Sequence, residues 1–118
     1  MSSEPNTLVH DKYLTITHRG RYSLPEMFKL IDFVKEAAER AGRDKVLIDG
    51  RYMMGLMTET DRFLGGKRMA DVFGSKLQVA ILMRPGLVTK LGEIAAVNRG
   101  ARLLVTSDED EALTWLLR

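Results

Sequence analysis

The chain alternates short apolar stretches with longer segments whose apolar positions repeat every three to four residues. Residues 7–9 and 13–18 read as two extended pieces, with Leu14 and Ile16 on one face and Thr15 and Thr17 on the other. Asp11-Lys12 is a tight link, so the two pieces predict an antiparallel hairpin ended by Gly20. Ser23-Leu24-Pro25-Glu26 then forms a capping box, with Pro25 in a first turn where its missing N–H has no helical partner. Met27, Leu30, Ile31, Val34, Ala37, Ala38 and Ala41 follow at helical spacing, and Gly42 is the stop.

Lys45–Asp49 is a short strand with little polar alternation, the pattern of a strand buried on both faces. Thr58-Glu59-Thr60-Asp61 is a second candidate cap, opening a helix to Phe73 with Phe63, Ala70 and Phe73 facing inward. Gly65-Gly66 inside that helix costs about 1 kcal/mol per glycine against alanine. Either the helix breaks there or another backbone approaches closely. Residues 77–83 are the strongest strand, closed by Arg84-Pro85-Gly86. Leu87, Val88, Leu91, Ile94, Ala95 and Asn98 predict a third helix stopped by Gly100. Arg102–Thr106 is a third buried strand. Ser107 is the expected cap of the last helix, with Asp108, Glu109 and Asp110 at its dipole's positive end and Ala112, Trp115 and Leu116 inward. Residues 1–6 read as a polar tail, and 7–118 as one domain. The order predicts an α/β fold: a hairpin and three parallel strands joined by right-handed crossovers, packed by about four helices.

Composition narrows the function. Of 118 residues, 45% are hydrophobic and 29% charged, the balance of a folded globular chain. Lys plus Arg is 18 and Asp plus Glu is 16, a net charge of +2. The basic residues are interleaved with acidic ones and lack aromatic platforms, so nucleic acid is not an expected partner. With 0 cysteines there is no disulfide, thiol nucleophile or thiolate metal site. The start of the chain has no positive region followed by an apolar one, and the longest clean apolar run is only about five residues, 79–83. A cytoplasmic location and no membrane insertion are expected.

Gly20 with the capped helix after it, Val46-Leu47-Ile48-Asp49, Val79-Ala80-Ile81-Leu82, Asn98-Arg99-Gly100 and the ending 110–117 together resemble the SpoIIAA-like superfamily of anti-sigma-factor antagonists and STAS domains. The likeness is greatest to its bacterial members of unassigned function and covers residues 7–118. It implies a mixed sheet packed by helices, often in a homodimer, and no common activity. Antagonist and STAS members bind partner proteins and are switched by phosphorylation of a serine. That serine sits in an Asp-Ser-Ser-Gly-like stretch opening the helix after the middle strand. The corresponding residues here, 55–61, lack that stretch, and Thr58 or Thr60 would have to stand in. A related topology serves in lipid-carrying domains, which raises a small apolar ligand as a second possibility.

No residue pattern points to catalysis. His10 and His18 have no metal-ligand spacing and are expected at the surface or on an edge strand. There is no nucleophile elbow, P-loop or dinucleotide fingerprint. Asp49 ends an apolar strand at the rim where parallel sheets bind ligands, and Arg51, Thr58, Arg84 and Ser107 should share that rim. Two arginines beside helix N-termini would attract an anion. The competing reading is a structural Asp49 that pairs with Arg51 or Arg84. The loop Tyr52, Met53, Met54, Gly55, Leu56, Met57 holds three methionines, an adaptable apolar surface or a lid over the end of the sheet. With Thr60 it forms the candidate partner surface. Three functions follow: a non-catalytic regulatory domain acting through protein–protein interaction, a small-molecule or lipid carrier, and an enzyme resting on Asp49 alone. No cofactor is implied.

Overall fold

The structure is a computed structural model that describes residues 5–118. The N-terminal hairpin forms as the alternation predicts. Strand β1 (Asn6–Val9) pairs antiparallel with β2 (Leu14–Thr17). Asn6 therefore belongs to the sheet rather than to the polar tail; residues 1–4 lie outside the described part. After β3 (Gly20–Arg21), helix α1 (Leu24–Ala41) begins where Ser23 Oγ accepts the Glu26 N–H at 3.3 Å. It ends at Gly42, whose φ of 66° is the left-handed conformation that glycine adopts without strain.

Strands β4 (Lys45–Asp49), β6 (Gln78–Leu82) and β7 (Arg102–Thr106) run parallel, with β4 pairing β6 and β6 pairing β7. Strand β2 also pairs β4 in parallel, Ile16 beside Ile48. The five-stranded sheet thus has the order β1-β2-β4-β6-β7, with four parallel strands, one more than the sequence predicts. A second, two-stranded parallel sheet that the sequence did not signal joins β3 to β5 (Met53–Met54).

One sheet face carries Leu14, Ile16, Val46, Ile48, Val79, Leu103 and Val105 against α1, helix α2 (Glu59–Phe73) and helix α3 (Leu91–Val97). The other face carries Leu47, Ala80 and Leu82 against Ala112 and Leu116 of helix α4 (Glu109–Leu116), with Trp115 half-buried beside them. Burial on both faces is why β4 and β6 read as continuous apolar runs. At the edge strand β7, Glu93 accepts the Val105 N–H at 2.6 Å and Lys90 donates to the Val105 carbonyl. Two side chains of the α3 segment so occupy polar backbone groups that an edge strand otherwise offers to another chain.

Three expectations are corrected. Phe63 does not face inward; it is 37% exposed and lies under the cations of Lys67 and Arg99, because the next turn presents Gly65 and Gly66 to the core instead. The third helix begins at Leu91, not at Leu87: residues 87–90 remain irregular after the turn at Pro85-Gly86. The last helix is capped by Asp108 rather than Ser107, its carboxylate accepting the N–H groups of Asp110 at 2.9 Å and Glu111 at 3.2 Å.

Helix α2 runs unbroken through Gly65-Gly66, so close approach is the reason for the pair. A Cβ on Gly66 would collide with the backbone carbonyl of Gly92 and sit 3.1 Å from Ala95 Cβ. A Cβ on Gly65 would meet the Met27 sulfur, the end of a flexible side chain. The two glycines therefore predict unequal variants. In chemical denaturation Gly66→Ala should lower stability by about 1–3 kcal/mol, since α3 must move. Gly65→Ala should stay within about 1 kcal/mol of the parent, because the gain in helix propensity offsets the repacking of Met27. Equal losses would contradict this packing.

Candidate functional site

The C-terminal ends of the four parallel strands meet at one edge of the sheet, and a polar cluster around Asp49 lies there. His18 N–H donates to the Asp49 carbonyl at 3.1 Å, Gly50 N–H to Leu82 at 2.8 Å and Met83 N–H to Thr106 at 2.9 Å, so the ladder continues to the rim. Asp49 is buried. Its Oδ1 accepts from the Arg51 backbone N–H at 3.1 Å and from Arg51 Nε at 3.0 Å, and its Oδ2 accepts from Arg51 Nη2 at 2.9 Å. This is a bidentate carboxylate–guanidinium fork with a third, main-chain donor. Arg51 also lies 3.8 Å from Glu109. Burial alone would raise the Asp49 pKa, but the Arg51 bonds and the nearby charges of Arg51 and Arg19 outweigh it and hold the carboxyl below its usual value.

Asp49 and Arg51 are thus the two predicted rim residues that the structure brings together. Arg84 is exposed after β6, and Ser107 is exposed after β7. Thr58 caps α2, its Oγ1 accepting the Asp61 N–H at 3.0 Å. Among the described residues none of these three bonds to Asp49 or Arg51.

Residues 50–57 fold back over this edge. Met53 N–H donates to the Gly50 carbonyl at 3.3 Å, and Tyr22 N–H donates to the Met54 carbonyl at 2.7 Å. Gly55 turns the chain with φ 93°, a value side-chain-bearing residues rarely adopt. The Tyr52 ring lies beneath the Arg19 guanidinium, 4.5 Å from its centroid, with Arg51 at 5.9 Å. The six residues then divide. Tyr52, Met54 and Leu56 are 49%, 60% and 76% exposed, whereas Met53 and Met57 turn inward to the wall of a cavity. Thr60 is exposed in the first turn of α2.

That cavity, about 90 Å³, lies between the sheet and α1, α2 and α3. Its wall is almost wholly apolar and includes Met27, Met69 and Met83, Ile48 and Ile81, with Tyr22, Arg62 and Thr89 as its polar members. Arg62 Nη1 donates to the Leu87 carbonyl at 2.8 Å. Sequence reasoning did not find Tyr22, Arg62 and Thr89, because they come from three separate segments and share no spacing.

His18 corrects the expectation of a surface or edge histidine. It is 4% exposed and follows β2, an interior strand of the sheet. The signal was present: His18 shares the two-residue parity of buried Leu14 and Ile16. Its Nδ1 is buried without a hydrogen-bond partner. Burial pushes the imidazole pKa down, opposed in part by Glu26. His10 is half-buried, its ring stacked on Tyr13 and its Nε2 2.9 Å from Thr15 Oγ1. Among the described residues there is no cluster of metal-ligating side chains, and no helix is long and apolar enough to cross a membrane.

Two stability predictions follow from these charges. The unfolded chain binds a proton at His18 more readily than the folded one. Folding stability should therefore fall as pH drops below about 6.5 towards the lowered folded value, and level off above it. His18→Leu should remove that slope in pH-dependent denaturation; an unchanged slope would contradict the neutral buried ring. Asp49 has the opposite identity and the same sign: its contribution is present above 3.8 and is lost as pH falls through the folded value. Asp49→Ala should cost about 1.5–3 kcal/mol at neutral pH, as expected for hydrogen bonds to a charged group. A loss of only a few tenths would place the pair among weak surface bridges.

No family model matches the chain, and no curated protein matches it. Solved structures do. An anti-sigma factor antagonist from Mycobacterium paratuberculosis superimposes with a TM-score of 0.61 at 16% identity, covering 100% of both chains. A protein of the DUF3478 family with a SpoIIAA-like fold, from Shewanella loihica, gives 0.56 at 20% identity over 98% of both chains. A serine-to-glutamate variant of RsbS from Moorella thermoacetica gives 0.56 at 14% identity, over 98% of this chain and 96% of that one. The chain therefore has the SpoIIAA-like fold that the resemblance in its sequence implied.

Proposed function

We propose that this chain is a non-catalytic regulatory domain that binds another protein through the outer side of the 52–57 loop and the start of α2. The carrying observation is the exposed group Tyr52, Met54 and Leu56, three large side chains on one loop held in place by the β3–β5 pairing and the Arg19 and Arg51 contacts. Large apolar side chains grouped on a pinned loop are the composition of a protein interface rather than of an ordinary solvated turn. The anti-sigma factor antagonist among the similar structures supports the same reading by its name. Asp49 carries three hydrogen bonds from Arg51, which takes its carboxylate away from acid–base work and weighs against the enzymatic reading. For the same reason Arg51 is a poor anion site, since Asp49 and Glu109 already balance its charge.

Thr58 and Thr60 extend this surface as candidate phosphorylation sites. Thr58 already uses its hydroxyl as the helix cap, and Glu59 and Asp61 would repel an added phosphate in part. Thr60 has the freer hydroxyl. The expected homodimer is a separate element of the reading, testable by sedimentation across a concentration series.

The double variant Met54→Glu, Leu56→Glu tests the surface. Immobilised parent protein should retain a discrete partner from extract of the source cells, identified by mass, and the variant, equally folded by circular dichroism, should lose it. Identical capture by both proteins would overturn the assignment of this loop. In the same extract with ATP, intact mass should show one added phosphate on the parent and none on Thr60→Ala; no phosphate under any condition would remove the switch.

A further inference from the structure

Two buried hydroxyl groups, those of Tyr22 and Thr89, line the cavity under the loop. Thr89 Oγ1 is buried with no hydrogen-bond partner, and Tyr22 Oη makes no well-aligned hydrogen bond although the Asp61 carboxylate lies beside it. A buried hydroxyl without a well-aligned partner is destabilising, and Phe or Val in the same places would avoid that cost without changing shape. Two such hydroxyls at a single apolar cavity form the pattern of a ligand site: an apolar lining with a few convergent polar groups that fix orientation. We propose that this cavity is a binding site for a small neutral molecule, mostly apolar, whose one polar group hydrogen-bonds to Tyr22 and Thr89.

The chemistry of the wall sets the class. Burial and the Asp61 carboxylate beside its O–H hold the Tyr22 phenol protonated, so its oxygen can accept from a ligand's O–H while the Thr89 hydroxyl can donate. Arg62 is the one charged residue in the lining, and it acts on Tyr22 in the opposite sense to Asp61. Its guanidinium already donates to the Leu87 carbonyl, and the otherwise apolar wall favours an uncharged ligand. Size is the second constraint. The cavity's roughly 90 Å³ is below the ~150 Å³ of an apolar cavity that takes up benzene, and far below the ~300 Å³ or more of a pocket for drug-sized ligands. A lipid chain does not fit; a molecule of about half a dozen non-hydrogen atoms does, once the walls give a little. Five of the seven methionines, Met27, Met53, Met57, Met69 and Met83, supply that give, because an unbranched thioether repacks at low cost. A narrow cleft bounded by Gly55, Leu56 and Leu87 adjoins the cavity on the loop side and shares Met53 and Met57 with it.

Cyclopentanol is a suitable probe, with glycerol as the polar control. In protein carrying carbon-13 on its methionine methyl groups, cyclopentanol should give saturable shifts at the five lining methionines and none at exposed Met54. Glycerol should give none at all. The double variant Tyr22→Phe, Thr89→Val should be as stable as the parent or more so, and should bind cyclopentanol about tenfold more weakly, the equivalent of one lost hydrogen bond. Retained stability separates lost recognition from lost folding. The absence of saturable shifts at millimolar cyclopentanol, equal affinity in the double variant, or a cavity that holds only ordered water would overturn the proposal.

Discussion

Parallel pairing of β2, β4, β6 and β7 is the constraint from which the rest of the molecule follows. Every crossover must leave from the same edge of the sheet, so the segments after Thr17, Asp49, Leu82 and Thr106 gather there. Asp49 ends the most central of these strands, and its Arg51 fork closes the rim electrostatically. The loop after it has to cross the apolar edge of the core before α2 can begin. Its methionines answer that need, since a loop of polar residues in the same place would leave the sheet's end uncovered.

The loop is two-sided as a result. Met53 and Met57 complete the wall over the core, while Tyr52, Met54 and Leu56 stand on the outside. Lid and partner surface, alternatives when only the sequence is considered, become two faces of one segment. The β3–β5 pairing and the Tyr52 ring beneath Arg19 fix which face is which. Anything that changes the packing of Met53 or Met57 is therefore one residue away from the exposed group.

The sequence made the scaffold legible where local rules act alone. The caps at Ser23 and Thr58, the alternation of Leu14 and Ile16, and the unbroken apolar runs of β4 and β6 each depend on neighbours in sequence. It was less legible where distant segments decide. Phe63 yields the core to Gly65 and Gly66 because Met27 and the Gly92 backbone approach them; the glycine pair marks a close approach, but nothing in residues 59–73 says which segments make it. The cavity wall draws on α1, β4, β6, β7 and the 50–57 loop together, so no single periodicity announces it. His18 is the intermediate case: its parity with Ile16 pointed inward, and its polarity argued for the surface. Packing prevailed, at the expense of an unpartnered ring nitrogen.

The division of the loop is open to direct measurement through the methionine methyl groups. With a soluble gadolinium chelate as a relaxation agent, the Met54 methyl should relax strongly, the half-buried Met53 and Met57 methyls markedly less, and those of Met27 and Met83 least. Equal relaxation of Met53, Met54 and Met57 would mean that the loop stands clear of the sheet. Neither the roofed cavity nor the fixed outer surface would then exist.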